Sequence, residues 1–194
     1  MAQLKEYIDA NLGKYKTIHL LGDAPNLQKF KKYTRSTNDL LIGVNCSFEK
    51  IMPNIHFFAC KKFVDLHSKK FNKSLVSVHP KQFGMYGFYQ EFTYNPVWDI
   101  ENIPTSRLSC GHSVIIPATH FACLLRPERV ILWGVEMLNW SHWYDGESKT
   151  TRFPGSKCAC REMRKITKIF PKVKIEISCA RTLFAKRRIL GVMA

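Results

Sequence analysis

Two β-rich runs that end in glycine constrain this chain more than any other feature. Thr17-Ile-His-Leu-Leu21 reads as a buried strand that passes directly into Gly22-Asp23-Ala24-Pro25-Asn26, and Val130-Ile-Leu-Trp-Gly134-Val-Glu136 ends in a second glycine-containing loop. Glycine permits a tight turn close to a ligand, and Pro25 fixes the chain as it enters the next helix. A third run, Asp39-Leu-Leu-Ile-Gly-Val44, delivers Asn45 to a strand end. Arg107-Leu-Ser-Cys-Gly111-His112 opens an apolar helical run, and a helix start leaves backbone N–H groups pointing at whatever sits there. Strand ends with small or polar residues beside a helix start are how an α/β sheet builds a nucleotide pocket.

The rest of the chain keeps this rhythm. Helical spacing over 4–12 stops near Gly13, a basic helix is expected over 27–33, a strand over 55–60, a helix over 62–70 and a short strand over 75–78. The apolar run 113–125 predicts a buried helix that starts or kinks at Pro117. Residues 130–135 are expected as the central strand, followed by a basic helix, the strand 173–179 and a final helix. Strand alternating with helix predicts one Rossmann-like α/β domain over residues 1–194, with a mainly parallel sheet flanked by helices. Only 81–106 breaks the pattern. Its glycines, prolines and aromatics Phe83, Tyr86, Phe88, Tyr89, Phe92, Tyr94 and Trp98 read as a lid or acceptor platform, or as a hairpin whose rings pack on the sheet.

Charge narrows the partners. Thirty Lys and Arg against 15 acids give +15, a field that concentrates polyanions. The positive runs 29–35, 61–73, 157–174 and 186–188 have few compensating acids, although a single such run is often only a solvated face. No apolar run is long enough for a membrane span and the N-terminus has no signal-peptide core, so a cytoplasmic protein is expected, in the host cytoplasm if phage-encoded. Seven scattered cysteines read as reduced thiols, and Cys158-Ala-Cys160 is poor zinc geometry. The chain has no P-loop, no Gly-x-Ser-x-Gly elbow and no His-Glu-x-x-His motif.

In order along the chain, Gly22-Asp-Ala-Pro-Asn-Leu27, Gly43-Val-Asn45, Arg107-Leu-Ser-Cys-Gly111, Gly134-Val-Glu136 and Val173-Lys-Ile-Glu-Ile-Ser-Cys179 resemble the bacterial sialyltransferases of glycosyltransferase family 42 and related sialyltransferase-like proteins of bacteria and phages. The resemblance covers most of the chain. It implies a metal-independent enzyme with a nucleotide-sugar co-substrate and no other cofactor. Gly22, Asp23, Pro25, Asn45, Ser109, Gly111 and Gly134 would then hold the nucleotide, and Arg107 and Tyr144 would face the leaving phosphate. The family has Asn and Gly where this chain has Asp23 and Ala24, a further Asn at Ala59, and another tyrosine at Leu138. An acid at Asp23 suits a ribose hydroxyl or an amino group better than a phosphate.

Glycosyl transfer must stabilise the departing phosphate and remove a proton from the acceptor hydroxyl. Arg107 and Tyr144 suit the first task, His142 and Asp145 the second, with His112 as a rival base. The +15 charge and the aromatics, including Trp140 and Trp143, favour DNA as acceptor, through a hydroxymethylated base of the kind phages glycosylate. The alternatives are a lipooligosaccharide sialyltransferase, with 186–190 as a membrane-surface tail, and a catalytically degenerate relative that only binds nucleotide or nucleic acid.

Overall fold

The computed structural model describes residues 2–57, 75–77, 113–137 and 156–193, organised about a seven-stranded sheet. Its strands are β1 (Thr17–Leu21), β2 (Leu40–Val44), β3 (Ile55–Phe57), β4 (Leu75–Ser77), β5 (Arg129–Trp133), β6 (Lys174–Ile177) and β7 (Gly191–Val192). They lie in the order β4-β3-β2-β1-β5-β6-β7, and every neighbouring pair is parallel. The expected parallel α/β fold is therefore present. The middle strand is β1 rather than the expected 130–135 run. β5 lies beside it, in a register that runs from Thr17 opposite Arg129 to Leu21 opposite Trp133. The order turns back between these two strands. This is the switch point of the sheet, and open α/β sheets place their ligands outside the carboxyl ends of the strands at such a point.

All five residues of β1 and of β2 are buried, as expected for strands covered on both faces. On one face Ile18, Leu20, Ile42, Val130, Leu132 and Ile177 share a core with Ile8, Phe121, Met163 and Ile166. Those partners come from α1 (Ala2–Asn11), α2 (Ile115–Leu124) and α3 (Ser156–Ile169). On the other face Leu21, Leu41, Ile131 and Trp133 pack with Leu27 and Phe30. Pro117 falls in the first turn of α2, where N–H groups lack helical acceptors, so the helix starts around it without needing a kink there.

His19 sits fully buried in β1, and both ring nitrogens are bonded. Trp133 Nε1 donates to its Nδ1 at 3.1 Å, so its Nε2 carries the proton shared with Asp39 Oδ2 at 3.2 Å. Burial pulls its pKa below the usual histidine value, against the pull of Asp39. This bond ties the end of β5 to the start of β2 across the middle strand.

Three expectations change. Residues 25–32 form a 3₁₀ segment (Pro25–Lys32) instead of a regular helix, and its cap residue Ala24 has no side-chain oxygen to satisfy the first turn. The final helix α4 (Leu183–Lys186) is a single turn capped by Thr182 Oγ1, which accepts from Ala185 N at 3.2 Å. The expected tail at 186–190 is anchored. Leu190 is buried and Ile189 packs on the core, while Lys186, Arg187 and Arg188 are exposed, and β7 then pairs with β6. The helix expected over 62–70, the segment 81–106 and the end of the 55–60 strand lie outside the described residues. No helix among the described residues is long and apolar enough to cross a membrane.

Candidate functional site

At the carboxyl ends of β1 and β5 two loops meet backbone to backbone. Gly22 N donates to Trp133 O at 2.7 Å and Ala24 N to Gly134 O at 2.9 Å. A Cβ on Gly22 would run into the Gly134 carbonyl oxygen. One on Gly134, where φ is +64, would lie 2.8 Å from both Gly22 O and Leu27 Cβ. Each glycine is required by the other loop's main chain, which cannot swing away as a side chain could.

This contact sets Asp23, Pro25 and Asn26 at the end of β1. Pro25 opens the 3₁₀ segment. Both side-chain polar atoms of Asn26 are buried, with no hydrogen-bond partner among the described residues. A buried amide in that state is costly unless something binds it. From the β5 loop, burial raises the pKa of the half-buried Glu136 carboxyl above the usual carboxylate value, and the backbone of Asn26 opposes that rise. The Glu136 carbonyl accepts from Leu183 N at 2.8 Å, which ties α4 to the same loop. The next residue, Met137, has φ +52, a left-handed conformation that is uncommon outside glycine and asparagine.

The end of β2 is built differently. Asn45 also has positive φ, +49, which asparagine tolerates, and it starts the 3₁₀ turn Asn45–Glu49. His56 Nε2 on β3 donates to its carbonyl at 2.8 Å. Burial holds that imidazole neutral, with its pKa lowered to about 3. Gly43 makes the room, since a Cβ there would meet Ser47 Oγ at 2.7 Å, Pro53 Cγ at 2.8 Å and His56 Nδ1 at 2.9 Å. The glycine read from sequence as part of a strand is thus what lets a buried histidine hold Asn45.

Among the residues singled out from sequence, Gly22, Asp23, Pro25 and Gly134 come together at the carboxyl ends of β1 and β5. Asn45 follows the neighbouring strand. Arg107, Ser109, Gly111, His112, His142, Tyr144 and Asp145, with Ala59 and Leu138, lie outside the described residues. Sequence reasoning missed Asn26 and Glu136 as site residues and His56 as the support of Asn45. The only available signals were a polar residue directly after Pro25 and a carboxylate directly after an apolar strand and its glycine. Among the described residues no group of three or more His, Cys, Asp or Glu is placed to hold a metal.

No protein-family model matches the chain, and no curated protein matches it. Among solved structures it is similar to the sialyltransferase CST-II in complex with a trisaccharide acceptor and CMP, at 11% identity and TM-score 0.50, over 92% of this chain and 86% of that one. CstII from Campylobacter jejuni with the substrate analogue CMP-3FNeuAc aligns over the same shares at 11% identity and TM-score 0.46. A variant of CST-II with CMP gives 9% identity and TM-score 0.48, over 91% and 86%. The likeness is one of fold: a parallel α/β sheet of glycosyltransferase-like form.

Proposed function

We propose that this protein is a metal-independent glycosyltransferase that binds a nucleotide-sugar at the carboxyl ends of β1, β2 and β5 and passes the sugar to an acceptor hydroxyl. The observation that carries the reading is the Gly22–Gly134 main-chain contact at the switch point of a sheet whose fold aligns, over 92% of the chain, with that of a sialyltransferase. In this reading Asp23, Asn26 and Asn45 meet the nucleoside. Arg107 and Tyr144 stabilise the departing phosphate, and His142 or Asp145 takes the acceptor proton.

The acceptor favoured by the fold likeness is a glycan, since that sialyltransferase was solved with a trisaccharide acceptor. The net charge of +15 favours a second acceptor, DNA carrying a hydroxymethylated base. Incubation with cytidine and uridine nucleotide-sugars, followed by assay of nucleotide release, tests the donor half. Mass spectrometry of an oligosaccharide and of hydroxymethylated DNA then tests the acceptor. Sugar transfer to the oligosaccharide is expected, and a sugar-sized gain on the DNA alone would establish the second acceptor. Failure of every donor to bind or turn over removes the enzyme reading. Donor binding without turnover would leave a degenerate, binding-only relative.

A further inference from the structure

Parallel pairing puts every segment that enters a strand on the same end of the sheet, opposite the candidate site. β1, β5, β6 and β7 are consecutive neighbours, and the turns before the first three are laced together. Gly13 N donates to Leu125 O at 2.9 Å, Glu128 N to Lys16 O at 3.1 Å and Lys174 N to Glu128 O at 3.0 Å. The five residues before each of these four strands (12–16, 124–128, 169–173 and 186–190) carry seven Lys or Arg, all exposed, against one acid, Glu128. Glu128 lies 3.9 Å from Lys16, and the neighbouring Glu176 is buried against Arg129 and Lys174. The helices α1, α2 and α3 also end at this face. A helix C-terminus carries about half a negative charge, so the three ends offset roughly 1.5 charges and leave most of the positive excess facing solvent.

Apolar side chains at the same end select the kind of polyanion. Among the described residues the exposed large hydrophobics are Leu12, Met52 and Val192, and Leu12 and Met52 stand in the turns before β1 and β3, 48% and 56% exposed. Aliphatic chains set among cations suit a bilayer surface, where the chains enter the headgroup region and the cations meet lipid phosphates. A surface for single-stranded nucleic acid would offer exposed rings for stacking, whereas Tyr15 and Phe170 in these turns are half-buried and pack on the core. We infer that the amino end of the sheet is a docking surface for an anionic phospholipid bilayer. The protein lies on the lipid by this face, and strands of five residues hold the candidate site roughly 17 Å further out. The inference stands apart from the nucleotide-sugar reading and gives part of the +15 charge a task other than binding an acceptor.

Sedimentation of the whole protein with phosphatidylcholine vesicles, with and without about one-third phosphatidylserine, tests the surface. Binding is expected only with phosphatidylserine, and should disappear as salt rises from about 0.1 to 1 M and the screening length falls from about 10 to 3 Å. The double variant Lys14→Ala, Lys172→Ala should bind about 25-fold more weakly, at roughly 5-fold for each cation near the lipid. Lys29→Ala with Lys157→Ala removes the same charge from exposed positions outside these turns, and should stay within about 3-fold of wild type. Leu12→Ser should weaken binding by about 5-fold or more with no change of charge. All of these side chains are exposed, so the variants keep the fold. No binding to phosphatidylserine vesicles, equal losses in the two double variants, or wild-type binding by Leu12→Ser would each overturn the inference. A DNA duplex serves as the competing probe. Should it bind, and should its affinity alone respond to Lys14→Ala, Lys172→Ala, the face belongs to nucleic acid and the lipid surface is wrong.

Discussion

At the amino ends of β5 and β6, Arg129 Nε and Nη2 donate to Glu176 Oε2 at 3.0 and 2.8 Å, and Lys174 Nζ lies 2.9 Å from Oε1. At the carboxyl ends of the same sheet, two glycines touch main chain to main chain, Asn45 and Met137 take left-handed conformations, and buried polar atoms of Asn26, Ser47 and Ser178 have no partner among the described residues. Burial alone would push the Glu176 pKa up. Lys174 and Arg129 more than reverse this and hold it below the usual carboxylate range. Polar groups at the amino end are thus matched within the protein. Left-handed residues occur at both ends, with Arg126 and Arg188 preceding β5 and β7, so what distinguishes the carboxyl end among the described residues is its unmatched polarity, the pattern of a surface completed by something else. One end is scaffold and the other is the candidate site.

The largest effect expected from breaking this contrast comes from Gly22→Ala. The new methyl group meets the Gly134 carbonyl, which belongs to main chain at the end of a central strand, so a loss of about 3 kcal/mol is expected in urea unfolding. A variant of wild-type stability would mean that the two loops are not in contact.

Acid separates the buried histidines from the Glu176 cluster by pH window. His56 and His120 are buried and neutral, with pKa values lowered by burial to about 3 and about 4. Between the unfolded value near 6.5 and those folded values, the unfolded chain binds more protons. Stability therefore falls as pH drops below about 6.5, by up to ~1.4 kcal/mol per pH unit for each histidine. Glu176 has the opposite chemistry and a lower window. Its depressed pKa gives stability that is present above the unfolded value near 4.3 and lost as pH falls through the folded value. Urea midpoints between pH 7 and pH 3 should show both. His56→Gln should flatten the upper window, and Glu176→Gln only the lower. A single transition near pH 4 would contradict the buried neutral state of the histidines.

Smaller changes are expected at the amino end. Glu176→Gln should cost about 1–2 kcal/mol at pH 7, because Arg129 is about one-third exposed and can turn to water, and ligand affinity should stay unchanged. Lys16→Ala, which breaks an exposed 3.9 Å pair with Glu128, should cost about 0.5 kcal/mol or less by the same measurement. A loss of ligand affinity in either variant would blur the distinction between the ends.

Much of the sheet was legible because parallel strands buried on both sides leave unbroken apolar runs. β1 falls on the expected residues, and β2 and β4 within one of the expected bounds. β7 was not legible, since two residues carry no period, and Leu190 looked like part of a basic tail until its burial closed the core. The 3₁₀ segment 25–32 starts at Ala24 without a side-chain cap, and the period of its apolar residues does not distinguish it from a regular helix. The glycines of the site could be read because glycine has a backbone meaning of its own. Asn26, Glu136 and His56 could not, because their roles arise only when strands distant in sequence lie side by side. His19 is a similar case, as its partners are Trp133 on β5 and Asp39 in the connection into β2.

Amide hydrogen exchange of the wild-type protein, with and without the nucleotide-sugar that most raises its melting temperature, tests the division between scaffold and site most directly. Ligand should slow exchange at residues 22–27, 43–49 and 134–137 and leave 14–17, 128–130 and 172–175 unchanged. Protection confined to the amino ends of the strands, or binding that leaves the β1 and β5 loops unprotected, would contradict the account.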